Sequence, residues 1–263
     1  RGPEAAANAA GAASQIELEA LLRLRLTALT PTRDVRRGDG LDDPRTIATA
    51  AQSHVDEIMS RLTMFAESAG HEMTAIIRDE HGLDEGLLAL DRASFDAISA
   101  MPRTVHGCGV LFRAGVLPEN RLAGAWFVRE ASQILRHPHE FDETQPDFYD
   151  YSRAAWMSET PIVVGPYVDS GGVDDYVLTL AVPVLTAAGF IGVAAADMPV
   201  EQFELEFAPQ LLTAGPMSLV NREGRVIVST VPAVTPGTLL RSGPETDSFA
   251  VGTFGWRVIT THG

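Results

Sequence analysis

Apolar residues change their spacing along this chain at about residue 104. Up to that point they recur at every third or fourth position, which is the period of an amphipathic helix. The longest such stripe lies in residues 44–81 and consists of Ile47, Ala51, Val55, Ile58, Leu62, Phe65, Ala69, Met73 and Ile76. An aspartate directly before Pro44 supplies a helix-start signal, and Gly82 supplies a stop signal. Helices are therefore predicted at 15–29, 44–81 and 87–98, and a further short amphipathic helix is predicted at 201–212.

The predicted helix over residues 44–81 is longer than a compact domain usually needs. At about 1.5 Å rise per residue, it extends over more than about 50 Å. Its apolar stripe must be covered, either by a sheet of the same chain or by a second copy packed as a coiled-coil-like seam. We expect a homodimer contact through this helix, because the stripe outruns what one small sheet can cover.

Beyond residue 104, short runs of β-branched and apolar residues replace the helical spacing. Such runs are typical of strands, and residues 186–189 offer a turn between two of them. Strands are predicted at 105–113, 123–129, 176–184, 190–196 and 254–260, with a hairpin at 217–230 whose turn lies at 221–224. This mixture predicts an α+β fold, in which a mostly antiparallel sheet is followed by a second, smaller sheet.

The composition favours a small cationic partner. The 35 acidic residues outnumber the 20 basic ones, all of which are Arg, so the net charge is −15. Such a charge repels nucleic acid and anionic membrane surfaces. No apolar run reaches the roughly 18 residues that a membrane-spanning helix needs. Residues 1–14 are small, polar and low in complexity, and we interpret them as a disordered leader.

Aromatic and acidic residues concentrate between positions 149 and 197. The set consists of Tyr149, Trp156, Tyr167, Asp169 and Asp197. An ammonium group buried without counter-charge costs several kcal/mol, so a site for it needs carboxylates and aromatic faces in place of water. The two aspartates supply the charge and the three aromatic residues supply the walls. We predict that these five residues bind a cationic ligand.

Other functions are open to the same residues. Asp169 and Asp197 can serve as the acid/base pair of a hydrolase or lyase, but no nucleophile or metal set accompanies them. A dimerisation scaffold with a vestigial pocket is a third interpretation. His137 and His139 lie in a polar stretch and predict no metal site, and the single Cys108 excludes an internal disulfide. No cofactor is expected.

Four sequence segments occur in an order that resembles Cache sensor domains of the double-Cache type. They are GPYVD at 165–169, a strand ending in Pro183 and Val184, FIGVAAAD at 190–197 and NREGRVIVS at 221–229. The resemblance implies a long N-terminal helix followed by two PAS-like antiparallel lobes. It implies a leader and helix at 1–40, a helical stalk at 41–104, a membrane-distal-type ligand-binding lobe at 105–200 and a smaller lobe at 201–263.

Similarity to this family also implies a sensor rather than an enzyme, which signals through a partner domain or a dimer. In Cache domains that bind amino acids, a Tyr and two Asp residues receive the ammonium group, and an Arg two positions before a Trp receives the carboxylate. The first part of this pattern is matched by Tyr149, Trp156, Tyr167, Asp169 and Asp197. The Arg position holds Ala154 instead. The resemblance therefore implies a cationic amine, or an amino-acid-like ligand whose carboxylate is not obligatory. Cache domains usually lie outside the cytoplasm, and this sequence leaves the side of the membrane open.

Overall fold

The apolar stripe predicted from the sequence forms helix α1 (Pro44–Ile77) in the computed structural model. The structure describes residues 43–78, 82–113, 115–116, 124–137, 158–169, 176–240 and 246–261. Asp43 caps α1, because its Oδ1 accepts a hydrogen bond of 3.0 Å from the backbone N–H of Arg45. The long helix is confirmed as far as Ile77, and residues 79–81 lie outside the described part of the chain.

Two further helices are described, α2 (Leu83–Ala100) and α3 (Val200–Ala214). Helix α2 begins before its predicted start at residue 87. Asp84 and Glu85 lie in its first turn, where negative charge interacts favourably with the positive end of the helix dipole. The predicted helix at 15–29 lies outside the described residues. None of the described helices has the length and apolar character that crossing a bilayer requires.

Six antiparallel strands form the larger sheet, in the order β3-β2-β1-β6-β5-β4. They are β1 (Gly107–Phe112), β2 (Gly124–Glu130), β3 (Gln133–His137), β4 (Ile162–Val168), β5 (Tyr176–Thr186) and β6 (Gly189–Pro199). Strands β1 and β6 are therefore central, and β3 and β4 form the edges. The sequence does not predict β3, because this half-exposed edge strand lacks the continuous apolar run of its neighbours.

Four antiparallel strands form the smaller sheet, in the order β8-β7-β10-β9. They are β7 (Met217–Val220), β8 (Val226–Ser229), β9 (Thr246–Val251) and β10 (Trp256–Thr261). Helix α3 leads from β6 into this sheet. The predicted hairpin is found as β7 and β8, and the predicted last strand is found as β10. Strand β9 was not predicted from the sequence. Both sheets belong to one compact unit that begins at Leu41.

Helix α1 packs on one face of the larger sheet and also contacts the smaller one. Its whole apolar stripe is buried, from Ile47 at 3% exposure to Ile76 at 8%. Strands β5, β6, β9 and β10 and helix α2 contact the helix. The stripe is thus covered within the chain and needs no second copy to bury it. A homodimer through α1 stays a prediction without that support.

One buried side chain joins the two sheets. Asn221 follows β7 and is 3% exposed, and its Nδ2 donates a hydrogen bond of 2.7 Å to the carbonyl oxygen of Gly165 on β4. Its Oδ1 accepts hydrogen bonds from the backbone N–H groups of Glu223 and Arg225, at 3.0 and 2.8 Å. Asn221 therefore shapes the β7–β8 turn and fastens that turn to an edge strand of the larger sheet.

Candidate functional site

Asp197 lies on central strand β6, on the face of the larger sheet that α1 does not cover. Its neighbours Ala196 and Met198 belong to the core beneath α1, whereas Val193 and Ala195 belong to a separate cluster on the opposite face. Because side chains alternate along a strand, Asp197 shares the second face. It is only 6% exposed. A carboxyl group is therefore buried in the middle of the sheet.

A chain of hydrogen bonds leads to this carboxyl group from edge strand β4. Thr179 on β5 is paired with Asp197, and its Oγ1 donates a hydrogen bond of 2.5 Å to Asp197 Oδ1. The hydroxyl of Tyr167 lies 2.7 Å from the same Oγ1. Since a Thr hydroxyl has one hydrogen, Tyr167 must donate and Thr179 must accept. The order is Tyr167 to Thr179 to Asp197.

Burial and charge both act against ionisation of Asp197. Burial is the largest cause and the negative charge of Asp169 the second, and together they raise the pKa of Asp197 to about 8 against the lowering effect of the Thr179 hydrogen bond. Burial, followed by the charge of Asp197, also raises the pKa of Tyr167. A cation bound at this site would therefore favour the ionised forms of both Asp197 and Tyr167.

Trp126 on β2 forms a wall beside Asp197. Gly107 on β1 is paired with Asp197, and a Cβ atom built on Gly107 would lie 3.0 Å from Trp126 Nε1. A Cβ atom on Gly109 would lie 2.8 Å from Trp126 Cε3. The indole therefore lies across two glycines, in space that side chains would otherwise fill. Trp126 is 3% exposed, so it contributes an aromatic surface within the buried layer.

Three of the five predicted site residues come together in the structure. Asp169 directly follows β4, two positions after Tyr167, and its charge acts on Asp197. The other two, Tyr149 and Trp156, lie outside the described residues. The assignment of all five to a ligand site stays a prediction, since no ligand is present.

The sequence interpretation missed Thr179, Trp126 and the glycines beneath the indole. A glycine within a strand indicates close approach of another group, so the alternation Gly107, Cys108, Gly109 was an available signal. Thr179 was a lone polar residue in an apolar run. Neither signal identifies the contacting residue, which is Trp126 for the glycines and Asp197 for Thr179, because both contacts depend on how the strands pair in the sheet.

Among the described residues, groups for metal or thiol chemistry do not gather at this site. Within the described ranges, no three His, Cys, Asp or Glu side chains come close enough to hold a metal ion. Cys108 lies on the face beneath α1, and its burial raises the pKa of the thiol. A neutral, enclosed thiol is a poor nucleophile. The described side chains are thus suited to holding a cation by charge and hydrogen bonding.

No protein-family model and no curated protein sequence matches this chain. Solved structures do match it. The extracellular domain of the histidine kinase mmHK1S-Z2 is 10% identical, with a TM-score of 0.59, over 81% of this chain and 91% of that one. Methyl-accepting chemotaxis protein X is 12% identical, with a TM-score of 0.55, over 82% and 93%. The ligand-binding domain of PctC, an amino-acid chemoreceptor of Pseudomonas aeruginosa in complex with GABA, is 17% identical, with a TM-score of 0.50, over 82% and 96%.

These similarities establish the fold. The chain has the α+β fold of sensor domains from chemoreceptors and histidine kinases, with a long helix followed by antiparallel sheets of six and four strands. The resemblance to Cache sensor domains is therefore confirmed at the level of the fold. The double-Cache subtype and the boundaries after residues 40, 104 and 200 stay predictions.

Proposed function

We propose that this chain is the ligand-binding module of a sensor, and that it captures a small cationic amine on the face of the larger sheet away from α1. The observation that carries this proposal is Asp197, a buried carboxyl group with a second acid beside it and an aromatic wall across the neighbouring strand. A buried acid of this kind is costly to ionise without a cation.

The ammonium group of the ligand supplies a counter-charge that no described residue offers to Asp197. It favours the ionised form of Asp197, so binding an amine releases the proton that burial retains at neutral pH. Thr179 holds the carboxylate in one orientation, and Trp126 offers an aromatic face that attracts cations. Asp169 adds a second negative charge. From the resemblance, Tyr149 and Trp156 complete the enclosure.

The class of ligand follows from what the site provides. Ala154 stands where amino-acid-binding Cache domains have the Arg that receives a carboxylate, so we infer an amine whose carboxylate is dispensable. GABA, the molecule in complex with PctC, carries an ammonium group well separated from its carboxylate. The acids and aromatic residues of this chain are the support for a ligand of the amine class.

A binding module accounts for the described residues better than a hydrolase or lyase. The proton of the Thr179 hydroxyl is engaged by Asp197, and Tyr167 in turn donates to Thr179. An acid/base pair also needs a nucleophile, a metal or an activated water. The matched structures are a chemotaxis protein, the ligand-binding domain of a chemoreceptor and the extracellular domain of a histidine kinase. We infer that binding is reported through a partner domain or a second copy of the chain.

A thermal-shift experiment with three matched compounds tests the proposal. We use n-butylamine, which has only the amine, GABA, which has both groups, and butyrate, which has only the carboxylate. Butylamine and GABA should raise the melting temperature, since saturation at a hundredfold excess over Kd stabilises a protein by about 2.7 kcal/mol. Butyrate should have no effect.

Two variants make the test specific for the carboxyl group. Asp197→Asn keeps the shape of the side chain and should abolish the shifts given by both amines. Asp96→Asn removes an exposed acid on α2 and should leave them unchanged. A shift with butyrate alone would replace the amine assignment by an anion site, and shifts that persist in Asp197→Asn would remove Asp197 from the site.

A further inference from the structure

A second concave region lies at the edge of the larger sheet, formed by the α2–β1 connection, the β2–β3 turn and helix α3. Its volume is about 390 Å³. The polar side chains that line it are Arg103, His106, Arg129, Ser132, Gln133 and Gln202. We call this region the basic cleft. Among the described residues that line it there is no Asp or Glu, although acids outnumber bases in the chain by 35 to 20.

Arg129 on β2 is held in place by backbone carbonyl groups. Its Nε donates to the carbonyl oxygen of Val105 at 3.1 Å, and its Nη2 donates to those of Met101 at 3.2 Å and Ile98. These bonds satisfy carbonyl groups at the C-terminal end of α2, where a positive charge is favourable. The guanidinium is therefore fixed before any ligand arrives.

The fixed guanidinium retains binding capacity. Arginine has five N–H donors, and the three bonds to carbonyl groups leave both donors of Nη1 without a partner among the described residues. Its partners are neutral carbonyl groups, and Arg129 forms no ion pair with a described carboxylate. Such a group is suited to an oxyanion, which guanidinium binds through directed hydrogen bonds.

Two more donors face the same cleft from the α2–β1 connection. Arg103 is exposed and makes no hydrogen bond or ion pair with a described residue. The His106 side chain likewise has no described partner, and imidazole offers an N–H in either protonation state. The amides of Gln133 and Gln202 add neutral donors from the β2–β3 turn and from α3. Donors from separate elements thus converge on one concave region.

We propose that the basic cleft binds a small multivalent oxyanion, either a phosphate or a dicarboxylate. Arg129 supplies a fixed point of attachment, and Arg103 supplies a mobile charge that closes on the anion. The proposal is independent of the amine site, because it uses other residues on the opposite side of the β1 backbone from Trp126. The chain then senses or requires an anion in addition to its cationic ligand.

Isothermal titration calorimetry at constant ionic strength tests this proposal on the whole chain. Inorganic phosphate and succinate are the two probes, and chloride is the background anion. We expect a saturable binding isotherm with one probe or both, and the responding probe identifies the class of oxyanion. Calorimetry is preferable to thermal shift, because phosphate also stabilises proteins without binding to a site.

Three variants connect the binding to the cleft. Arg103→Gln and His106→Gln should each weaken the affinity for the responding probe, by about tenfold for Arg103→Gln, since a charge-assisted hydrogen bond is lost. Arg92→Gln removes an exposed arginine on α2 outside the cleft and should leave the affinity unchanged. Arg129 is left intact because it stabilises the end of α2.

The proposal is overturned by the absence of saturable heat with both probes. It is equally overturned if saturable binding persists at full affinity in both Arg103→Gln and His106→Gln. Circular dichroism of each variant establishes that the fold is retained, so a loss of binding in one folded cleft variant and not in Arg92→Gln supports the site.

Discussion

The two faces of the six-stranded sheet are built from the same strands, and both bury apolar side chains, but the buried polar side chains of the described strands lie on one face only. Beneath α1, residues such as Leu178, Leu180 and Met198 are fully buried among apolar neighbours. On the other face, the next positions along these strands are Thr179 and Asp197, which are buried as well. Because side chains alternate, a slip of one residue in register would exchange the two faces. Apolar burial therefore stabilises both faces, whereas only the second, which we call the polar face, also contains buried polar groups that reduce stability.

This difference indicates which face carries function. A buried carboxyl group next to a second acid destabilises a fold, and an apolar residue of similar volume would be more stable at the same place. Local features that oppose stability concentrate at functional sites. Asp197 is such a feature. Val193 and Ala195 lie on the same strand and the same face and are apolar, so the other buried positions of this face do not require a charged group.

The largest expected effect tests the face beneath α1. Leu180→Ala should lower the free energy of unfolding by about 2–5 kcal/mol, because it leaves a cavity beneath the helix. Leu185→Ala is the matched control on the same strand, since Leu185 is 57% exposed, and it should change stability by no more than about 0.5 kcal/mol. Urea denaturation measures both, and equal losses would contradict the contrast between the two positions.

The next effect tests the polar face through pH. Folding raises the pKa of Asp197 from 3.8 to about 8, so the folded chain binds a proton that the unfolded chain has released. The stability that this proton contributes is present below the ordinary pKa and is lost as the pH rises through about 8. Asp197→Asn lacks this loss.

From pH 5 to pH 7, the free energy of unfolding of the wild type should therefore fall relative to Asp197→Asn. The expected relative change is about 2–3 kcal/mol, at about 1.4 kcal/mol for each pH unit. Urea denaturation of both proteins at several pH values measures it. Parallel pH profiles would mean that Asp197 ionises in its ordinary range.

A smaller effect tests the connection between the polar face and the smaller sheet. Asn221→Asp keeps an oxygen for the turn N–H groups, but it loses the Nδ2 donor to Gly165 and to Glu223 Oε2 and places a negative charge beside both acceptors. It should lower the free energy of unfolding by about 1–3 kcal/mol, since a buried carbonyl loses its partner. Asn221→Ala should also lower it, because Gly165 and the turn N–H groups lose their partners without an added charge. Wild-type stability in Asn221→Asp would exclude this bond as a link between the sheets.

The smallest effect lies at the rim of the helix-covered face. Arg136 on β3 forms an ion pair with Asp91 on α2, with Nε and Oδ1 2.9 Å apart. The two side chains are 50% and 28% exposed, so Arg136→Ala should cost less than about 1 kcal/mol. Thermal unfolding at low and high salt measures this. A loss as large as that of Leu180→Ala would show that charge, and not apolar burial, stabilises this face.

The sequence predicts the helix-covered face well and the edges of the sheets poorly. The stripe of α1 repeats over many turns and begins at a capping aspartate before Pro44, so its signal is strong. Strands β3 and β9 are edge strands whose side chains are half exposed, and they bury too few apolar residues to stand out from loops. Elements that bury many apolar residues are thus predicted from the sequence pattern more readily than half-exposed edge strands.

The candidate site depends on a register that the sequence does not display. Counting back from the turn between Thr186 and Gly189 would pair Thr179 with Ala196. An irregularity between Val184 and Leu185 shifts the pairing by one residue, and Thr179 then lies opposite Asp197. Individual acids and aromatic residues of the site could be predicted from the sequence. The hydrogen bond between Thr179 and Asp197 could not, because it depends on the irregularity between Val184 and Leu185.

Proton release on amine binding tests the central claim most directly. Calorimetric titration with n-butylamine at pH 7, in two buffers of different ionisation enthalpy, gives the number of protons exchanged with the buffer. Since the pKa of Asp197 is about 8 in the free chain, binding of an ammonium group should release about one proton from wild type, and Asp197→Asn should show no binding. Binding of butylamine with no proton released would contradict the account, because the amine would then not be held by the buried carboxyl group of Asp197.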